Sequence, residues 1–272
     1  MSKAPSFDLT DKVAIVTGGA GIIGTTVCRA LAAQGANVAV VDLDGPAADR
    51  TAAGIAADFP GRAFGLCCDV SDPASVAGMT TKIVERLGAI DVLHNNAATK
   101  GPDLGAFLEP FETYSLETWR HVMAVNIDGM FLVAQAVGNQ MIRQGRGGSI
   151  IQTASIYGLV GPDFGIYEGS DYNGRPITTP AVYSASKAAV IGLSRYLATY
   201  WGPKGIRVNT LVPGGVESGQ NDAFKDRYGA RTPLGRMAER DEIAGAVIYL
   251  ASDASRYVTG QTLAVDGGWT AM

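Results

Sequence analysis

Short apolar runs rich in valine and isoleucine recur along the chain, and longer alanine-rich stretches with helical spacing separate them. An uninterrupted apolar run reads as a strand buried on both faces, and its alternation with helices predicts a parallel sheet covered on each side. Strands are expected over residues 13–16, 37–41, 63–68, 90–94, 149–153, 206–211 and 262–265. A helix is expected from about 22 to 34, closed by Gly35, and two long ones from 116 to about 143 and from 182 to about 201. No internal repeat, linker or low-complexity segment interrupts the alternation, so residues 1–272 read as one α/β domain. The rhythm breaks between Ser155 and Tyr183. An insertion at about 159–181 carries Asp163, Tyr167, Glu168, Asp171, Tyr172, Asn173 and Arg175, with prolines at 162, 176 and 180. A stretch of that length without structure of its own is usually functional or mobile.

The run Thr17-Gly18-Gly19-Ala20-Gly21-Ile22-Ile23-Gly24 lies between the first strand and the first helix, the context that makes a glycine string a dinucleotide fingerprint. Gly18 permits the tight turn, Gly21 lets backbone approach a pyrophosphate, and Gly24 brings the helix close to the sheet. The exposed amides and the helix dipole favour a diphosphate there. Asp42, followed by Leu43, ends the second strand, where a carboxylate accepts from both ribose hydroxyls of the adenosine. That choice specifies NAD: a 2′-phosphate about 4 Å from a carboxylate costs a few kcal/mol. Asp44 adds to the repulsion, and no arginine or lysine lies nearby in sequence to reverse it. Asp69-Val70 ends the third strand, suited to the adenine amino group, and Asn95-Asn96-Ala97-Ala98 ends the fourth, beside the adenosine.

Tyr183 and Lys187 stand four residues apart, one helical turn, and leave the same helix face. A phenol titrates near ~10, and bringing it to about 7 takes roughly 4 kcal/mol of preferential phenolate stabilisation. The Lys187 ammonium is expected to supply part of it.

Composition narrows the reading. Hydrophobic residues make up 47% of the 272 and charged residues 18%, spread without blocks, which suits an ordinary buried core and not a disordered chain. A net charge of −4 gives no footing for nucleic acid or an anionic membrane. Cys28, Cys67 and Cys68 form neither a disulfide framework nor zinc-ligand spacing, and read as buried thiols in a reducing compartment. His94 and His121 show no metal-ligand spacing either, so no metal is expected. The start is short and polar, no apolar stretch of some 18 residues is expected after it, and the location read from this is cytoplasmic.

These segments, in this order, resemble the short-chain dehydrogenase/reductase family over nearly the whole chain. The resemblance takes in the glycine fingerprint, Asp69, the Asn-Asn-Ala string, Asn126 in Val125-Asn126-Ile127, Ser155 in Thr153-Ala154-Ser155, Tyr183 with Lys187, and Pro213-Gly214. Thr259-Gly260-Gln261 and Val265-Asp266-Gly267-Gly268 complete it. It implies a seven-stranded Rossmann-type doubly wound sheet and an NAD-dependent oxidoreductase. Tyr183 would be the proton donor in reduction and the base in oxidation, with Lys187 lowering its pKa and holding the nicotinamide ribose. Ser155 would hydrogen-bond the substrate oxygen. Asn126 would sit at a helix break and anchor a water linking Lys187 to solvent. The Val216 backbone and Ser218 would grip the nicotinamide carboxamide.

Three positions depart from the family pattern. Ile22 stands where glycine is usual, with the glycine at Gly21 instead. Ala98 replaces the glycine after Asn-Asn-Ala. Ser155 and Tyr183 are separated by 27 residues, about twice the usual interval, which places the insertion over the substrate pocket. Its acids and tyrosines, with Asn173 and Arg175, suit a hydroxylated substrate: a sugar, sugar acid or polyol. Lys100 and Arg175 could meet an anionic group. A 3-oxoacyl thioester reductase and a non-catalytic NAD-bound sensor are the alternatives. Apolar Val190, Ile191, Leu193, Tyr196, Leu197 and Trp201 on the last long helix predict a homotetramer or homodimer.

Overall fold

Successive valines and isoleucines leave a strand no wet face, and β1 (Val13–Thr17) is buried along its whole length. Its alternate residues divide between two cores: Ala14 and Val16 enter one, Val13 and Ile15 the other. The computed structural model describes residues 6–172 and 174–272, with the backbone alone at 172 and 175. Among the described residues a seven-stranded parallel sheet runs in the order β3-β2-β1-β4-β5-β8-β9. Its further strands are β2 (Asn37–Asp42), β3 (Ala63–Cys67), β4 (Val92–Asn95), β5 (Gly148–Thr153), β8 (Ile206–Pro213) and β9 (Thr262–Val265). This is the Rossmann-type doubly wound sheet. Strand order reverses between β1 and β4, and the crevice beyond their carboxyl ends is where such sheets bind ligands.

Helices α1 (Ile22–Ala33), α2 (Gly45–Asp58) and α9 (Ala244–Ala251) cover one face through Val27, Leu31, Ile55 and Val247. The other face takes α3 (Pro73–Leu87), α6 (Met130–Gln144) and α7 (Ala181–Trp201) through Met79, Ile83, Val137, Met141 and Trp201. Short α4 (Leu104–Phe107), α5 (Leu116–Met123) and α8 (Asp222–Ala230) lie at the carboxyl end of the sheet or lead into it.

Several expected boundaries move. β4 starts at Val92 because Asp91 offers Val13 N its carboxylate, at 2.9 Å. β8 runs on to Pro213, whose missing N–H costs nothing beyond the last β5 pairing, Thr153 with Leu211. The expected helix from 116 to about 143 is two α-helices joined by a π-helical turn, Ala124–Gly129. That stretch is also long and apolar enough to cross a membrane by composition, contrary to expectation; in the fold Val133, Ala134, Val137 and Met141 turn inward onto the sheet.

The insertion has structure of its own. A 3-10 turn (Phe164–Tyr167) precedes an antiparallel pair, β6 (Asp171–Tyr172) and β7 (Arg175–Pro176). Arg227 of α8 donates to the Glu168 carbonyl, and Arg231 pairs with Asp163 at 2.8 Å. Asn173 and the side chains of Tyr172 and Arg175 lie outside the described residues. Cys28 and Cys68 are buried, but Cys67 is exposed: it ends the edge strand beside the Leu43 carbonyl.

Candidate active site

The glycine loop is shaped by contacts no side chain would survive. Gly18 has φ +62°, and a Cβ there would lie 3.1 Å from Ala97 Cα. A Cβ on Gly24 would lie 2.0 Å from the Gly18 carbonyl oxygen, so this glycine sets how closely α1 meets the turn. Gly21, the N-cap of α1, has φ −75° and no side-chain cap, and so leaves the first-turn amides at Ile22 and Ile23 open for an anion. Asp42, at the end of β2, accepts from Ala20 N at 3.0 Å through Oδ2 and from Asp44 N at 3.2 Å through Oδ1. A carboxylate has about four acceptor sites, so it steadies the loop with capacity left for a diol. Asp44 caps α2 by accepting from Ala47 N at 3.0 Å.

Thr17 is a residue that sequence reasoning missed. Its buried hydroxyl donates to Asn95 Oδ1 at 3.1 Å and accepts from Asn96 N and Ala97 N at 2.9 and 3.1 Å, joining the glycine loop to the end of β4. Asn95 Nδ2 in turn donates to the Met130 carbonyl, just past the π turn. Asp69 turns Oδ1 to Ser71, and Val70 packs against Gly129, where a Cβ would lie 2.9 Å from Val70 Cγ2. Pro213 and Gly214 enter the crevice beside β9, Gly214 N donating to the Val265 carbonyl at 2.9 Å.

Gln220, also unforeseen, closes on the next loop. Its Oε1 accepts from Ser218 N at 2.7 Å, and its Nε2 donates to Ser218 Oγ at 2.9 Å and to the Val216 carbonyl at 3.1 Å. Its side-chain amide therefore engages the groups expected to hold a nicotinamide carboxamide.

Asn126 is fully buried in the π turn. Its Oδ1 accepts from Thr99 N at 2.8 Å and its Nδ2 donates to the Thr99 carbonyl at 3.3 Å. Lys187 is buried too, and its Nζ donates to the Thr153 carbonyl at 3.1 Å, 5.8 Å from the Tyr183 ring centroid. Burial holds this ammonium down, at about 8. Ser155 caps a 3-10 turn (Ile156–Gly158), accepting from Tyr157 N at 3.3 Å, and its side chain acts on the Tyr183 phenol. Burial raises the Tyr183 phenol above its usual range and nearby Tyr167 adds to the rise, while the Ser155 side chain opposes it. Tyr183, Ser155 and Lys187 are thus brought together, while Lys187 is tied to β5 rather than to the phenol. His94 lies at the back of this cluster, fully buried, with Nε2 2.8 Å from Thr153 Oγ1.

Sheet, glycine loop and strand-end carboxylate define a dinucleotide-binding protein, with a tyrosine, a serine and a lysine at the mouth of the crevice. Residues 18–270 match a family profile described as Enoyl-(Acyl carrier protein) reductase. The chain belongs to the short-chain dehydrogenase/reductase family of nicotinamide-dependent oxidoreductases. It is 38% identical to D-threitol dehydrogenase of Mycolicibacterium smegmatis, over 97% of this chain and 95% of the relative. A gluconate 5-dehydrogenase from Burkholderia cenocepacia, solved in complex with NADP and tartrate, superposes with TM-score 0.84 at 35% identity, covering 98% of each chain. A short chain dehydrogenase from Leptospira borgpetersenii with bound NAD+ superposes with TM-score 0.85 at 31% identity, over 99% of this chain and 98% of that one.

Proposed function

We propose that this protein is an NAD-dependent dehydrogenase that interconverts a secondary alcohol and its ketone on a polyol, sugar or sugar acid. The observation that carries the reading is the meeting of three side chains: buried Lys187, one turn along the same helix, places Nζ 5.8 Å from the Tyr183 ring centroid, and the Ser155 side chain acts on the Tyr183 phenol. The residues fit a dinucleotide: the tight Gly18 turn, the uncapped amides at Ile22 and Ile23, and Asp42 at the ribose position, flanked by Leu43, Asp69, Val70, Asn96 and Ala97. Bound there, the cofactor supplies the hydride or accepts it.

The protein's share is one proton and the placement of one oxygen. Ser155 donates to the substrate oxygen and holds it beside the Tyr183 hydroxyl. A partly buried phenol whose pKa is raised is protonated at neutral pH, the state needed to donate to a developing alkoxide. In oxidation the direction reverses: Tyr183, once deprotonated, takes the proton from the substrate hydroxyl, and the Lys187 ammonium near its ring favours that phenolate. Asn126 spends its side chain on Thr99, so its main chain is what remains to hold a water behind Lys187. Pro213, Gly214, Val216 and Ser218 form the wall for the nicotinamide.

Asp42 and Asp44 support NAD over NADP. The named activities of the relatives support a polyhydroxylated substrate. Exposed Phe131, Ile142, Tyr196 and Tyr200 on α6 and α7 support a homotetramer or homodimer, and a cytoplasmic location accords with the free thiols. The test is turnover with NAD and NADP across polyols, sugars, sugar acids and a hydroxyacyl thioester. Oxidation of a polyhydroxylated substrate with NAD preferred is expected; turnover of the thioester alone would overturn the reading.

A further inference from the structure

Three hydroxyls with no part in the proton transfer form a chain beside Tyr183. Thr179 Oγ1 lies 2.5 Å from Tyr167 Oη, and Tyr167 Oη donates to Tyr157 Oη at 3.2 Å. Each hydroxyl has one proton to give. Since Tyr167 gives its proton to Tyr157, Thr179 must be the donor in the first bond, and the chain runs one way: Thr179 to Tyr167 to Tyr157. The Tyr157 proton is left at the end, with no acceptor among the described residues. Tyr157 is only 9% exposed, so its unspent donor is costly unless a ligand accepts from it.

The same residue is placed with respect to the reacting groups. Ser155 Oγ accepts from Tyr157 N at 3.3 Å while the Ser155 side chain also acts on the Tyr183 phenol, so Tyr157 is held by the same serine that faces the reacting tyrosine. Tyr157 packs in one cluster with Tyr183 and sits edge-on to Trp269, ring centroids 6.5 Å apart at 82°. The Tyr157 phenol also feels the charge of Tyr183. The insertion supplies Tyr167 and Thr179, and is itself clamped to α8 by Arg227 and Arg231.

We propose that Tyr157 is a specificity-determining residue: its hydroxyl donates to a second oxygen on the carbon adjacent to the reacting carbinol, so vicinal diols are preferred over simple secondary alcohols. Tyr157 can do this only if Ser155 and Tyr183 hold the reacting oxygen, as proposed above. A site built to donate to a hydroxyl rejects an analogue lacking it, since the buried donor is then left unpaired.

The experiment compares butanediol (the vicinal isomer) with sec-butanol, which differ by one hydroxyl, for the wild-type enzyme and for Tyr157→Phe and Tyr167→Phe. The wild type should favour the diol in kcat/KM. Tyr157→Phe keeps the ring against Trp269, and should cut kcat/KM for the diol by about 10- to 100-fold with sec-butanol and NADH affinity unchanged. Tyr167→Phe, which leaves the Tyr157 hydroxyl but removes its donor, should give a smaller loss confined to the diol. Equal losses on both alcohols would make Tyr157 structural and overturn the proposal, as would an unchanged diol preference in Tyr157→Phe. Turnover of neither alcohol by the wild type, with thioester turnover intact, would remove the underlying carbinol reading and the proposal with it; a wild type that turns over both equally would remove the proposal alone.

Discussion

Lys187 Nζ donates to the main-chain oxygen of Thr153 at 3.1 Å, which anchors the ammonium to the end of β5 and not to Tyr183, its neighbour one helical turn back. A cation this deep costs stability. Burial moves its pKa down from 10.5 to about 8, so below pH 8 the folded state carries a charge that is better solvated in the unfolded chain.

Lys187→Met should therefore be inactive yet more stable. A shift of this size corresponds to about 3 kcal/mol, and the lost Thr153 bond takes back about 1, so a gain of about 1–2 kcal/mol at pH 7 is expected. Because the unfolded state binds more protons between the two values, wild-type stability rises as pH climbs from 8, and the advantage of the variant should shrink there. Urea unfolding at pH 7 and pH 9.5 measures both; a variant less stable at pH 7 would contradict this.

His94 makes the opposite limb. Burial holds its pKa at about 3 against 6.5 in the unfolded chain, so its contribution is complete above pH 6.5 and is lost as pH falls toward 3. By pH 5 the loss should reach about 2 kcal/mol. His94→Gln, which can still reach Thr153 Oγ1, should show a shallower acid limb than the wild type. Parallel acid limbs in urea titrations at pH 7 and pH 5 would rule this out.

Asp42 holds the glycine loop, and its proposed second role, selecting NAD, is separated from the first by a pair of variants. Asp42→Asn keeps an acceptor for Ala20 N and removes the charge, so the NAD-to-NADP ratio in kcat/KM should fall by about a hundredfold with little loss of stability. Asp42→Ala should shift the ratio similarly and weaken both cofactors by slackening the glycine loop. An unchanged ratio in both would mean that selectivity is set elsewhere.

Gln220 should compete with the cofactor. Its amide engages the Val216 carbonyl and both polar groups of Ser218, so Gln220→Ala should tighten NADH binding by about three- to tenfold, the worth of one net hydrogen bond. Fluorescence titration reads it directly, and weaker binding would assign Gln220 to holding the loop.

Much of this was legible from residue order. Buried parallel strands announce themselves as unbroken valine and isoleucine runs, Asp42 stands at the end of one and Tyr183 and Lys187 at helical spacing, while Asn126 and Ser155 are implied by the family resemblance. What sequence did not disclose depends on side chains meeting across the fold. The break at Asn126 is implied by the family resemblance alone; the π turn that makes it, Ala124–Gly129, has no periodicity of its own to announce it. Thr17 reads as a strand residue until its hydroxyl is seen to join two loops. Tyr157 lies two residues after Ser155, a spacing that could have drawn notice, but its partner Tyr167 comes from the insertion, whose local order relies on α8. Helical spacing gives the proximity of Tyr183 to Lys187 but says nothing of the burial that raises the phenol in the protein alone.

The most direct test of the central claim is single-turnover reduction by Tyr183→Phe, with NADH binding measured on the same sample. The account predicts NADH affinity within about twofold of wild type, since the hydroxyl serves the substrate oxygen, and a rate lower by about 10²–10⁴ or more. An undiminished rate with cofactor bound would show that another group supplies the proton.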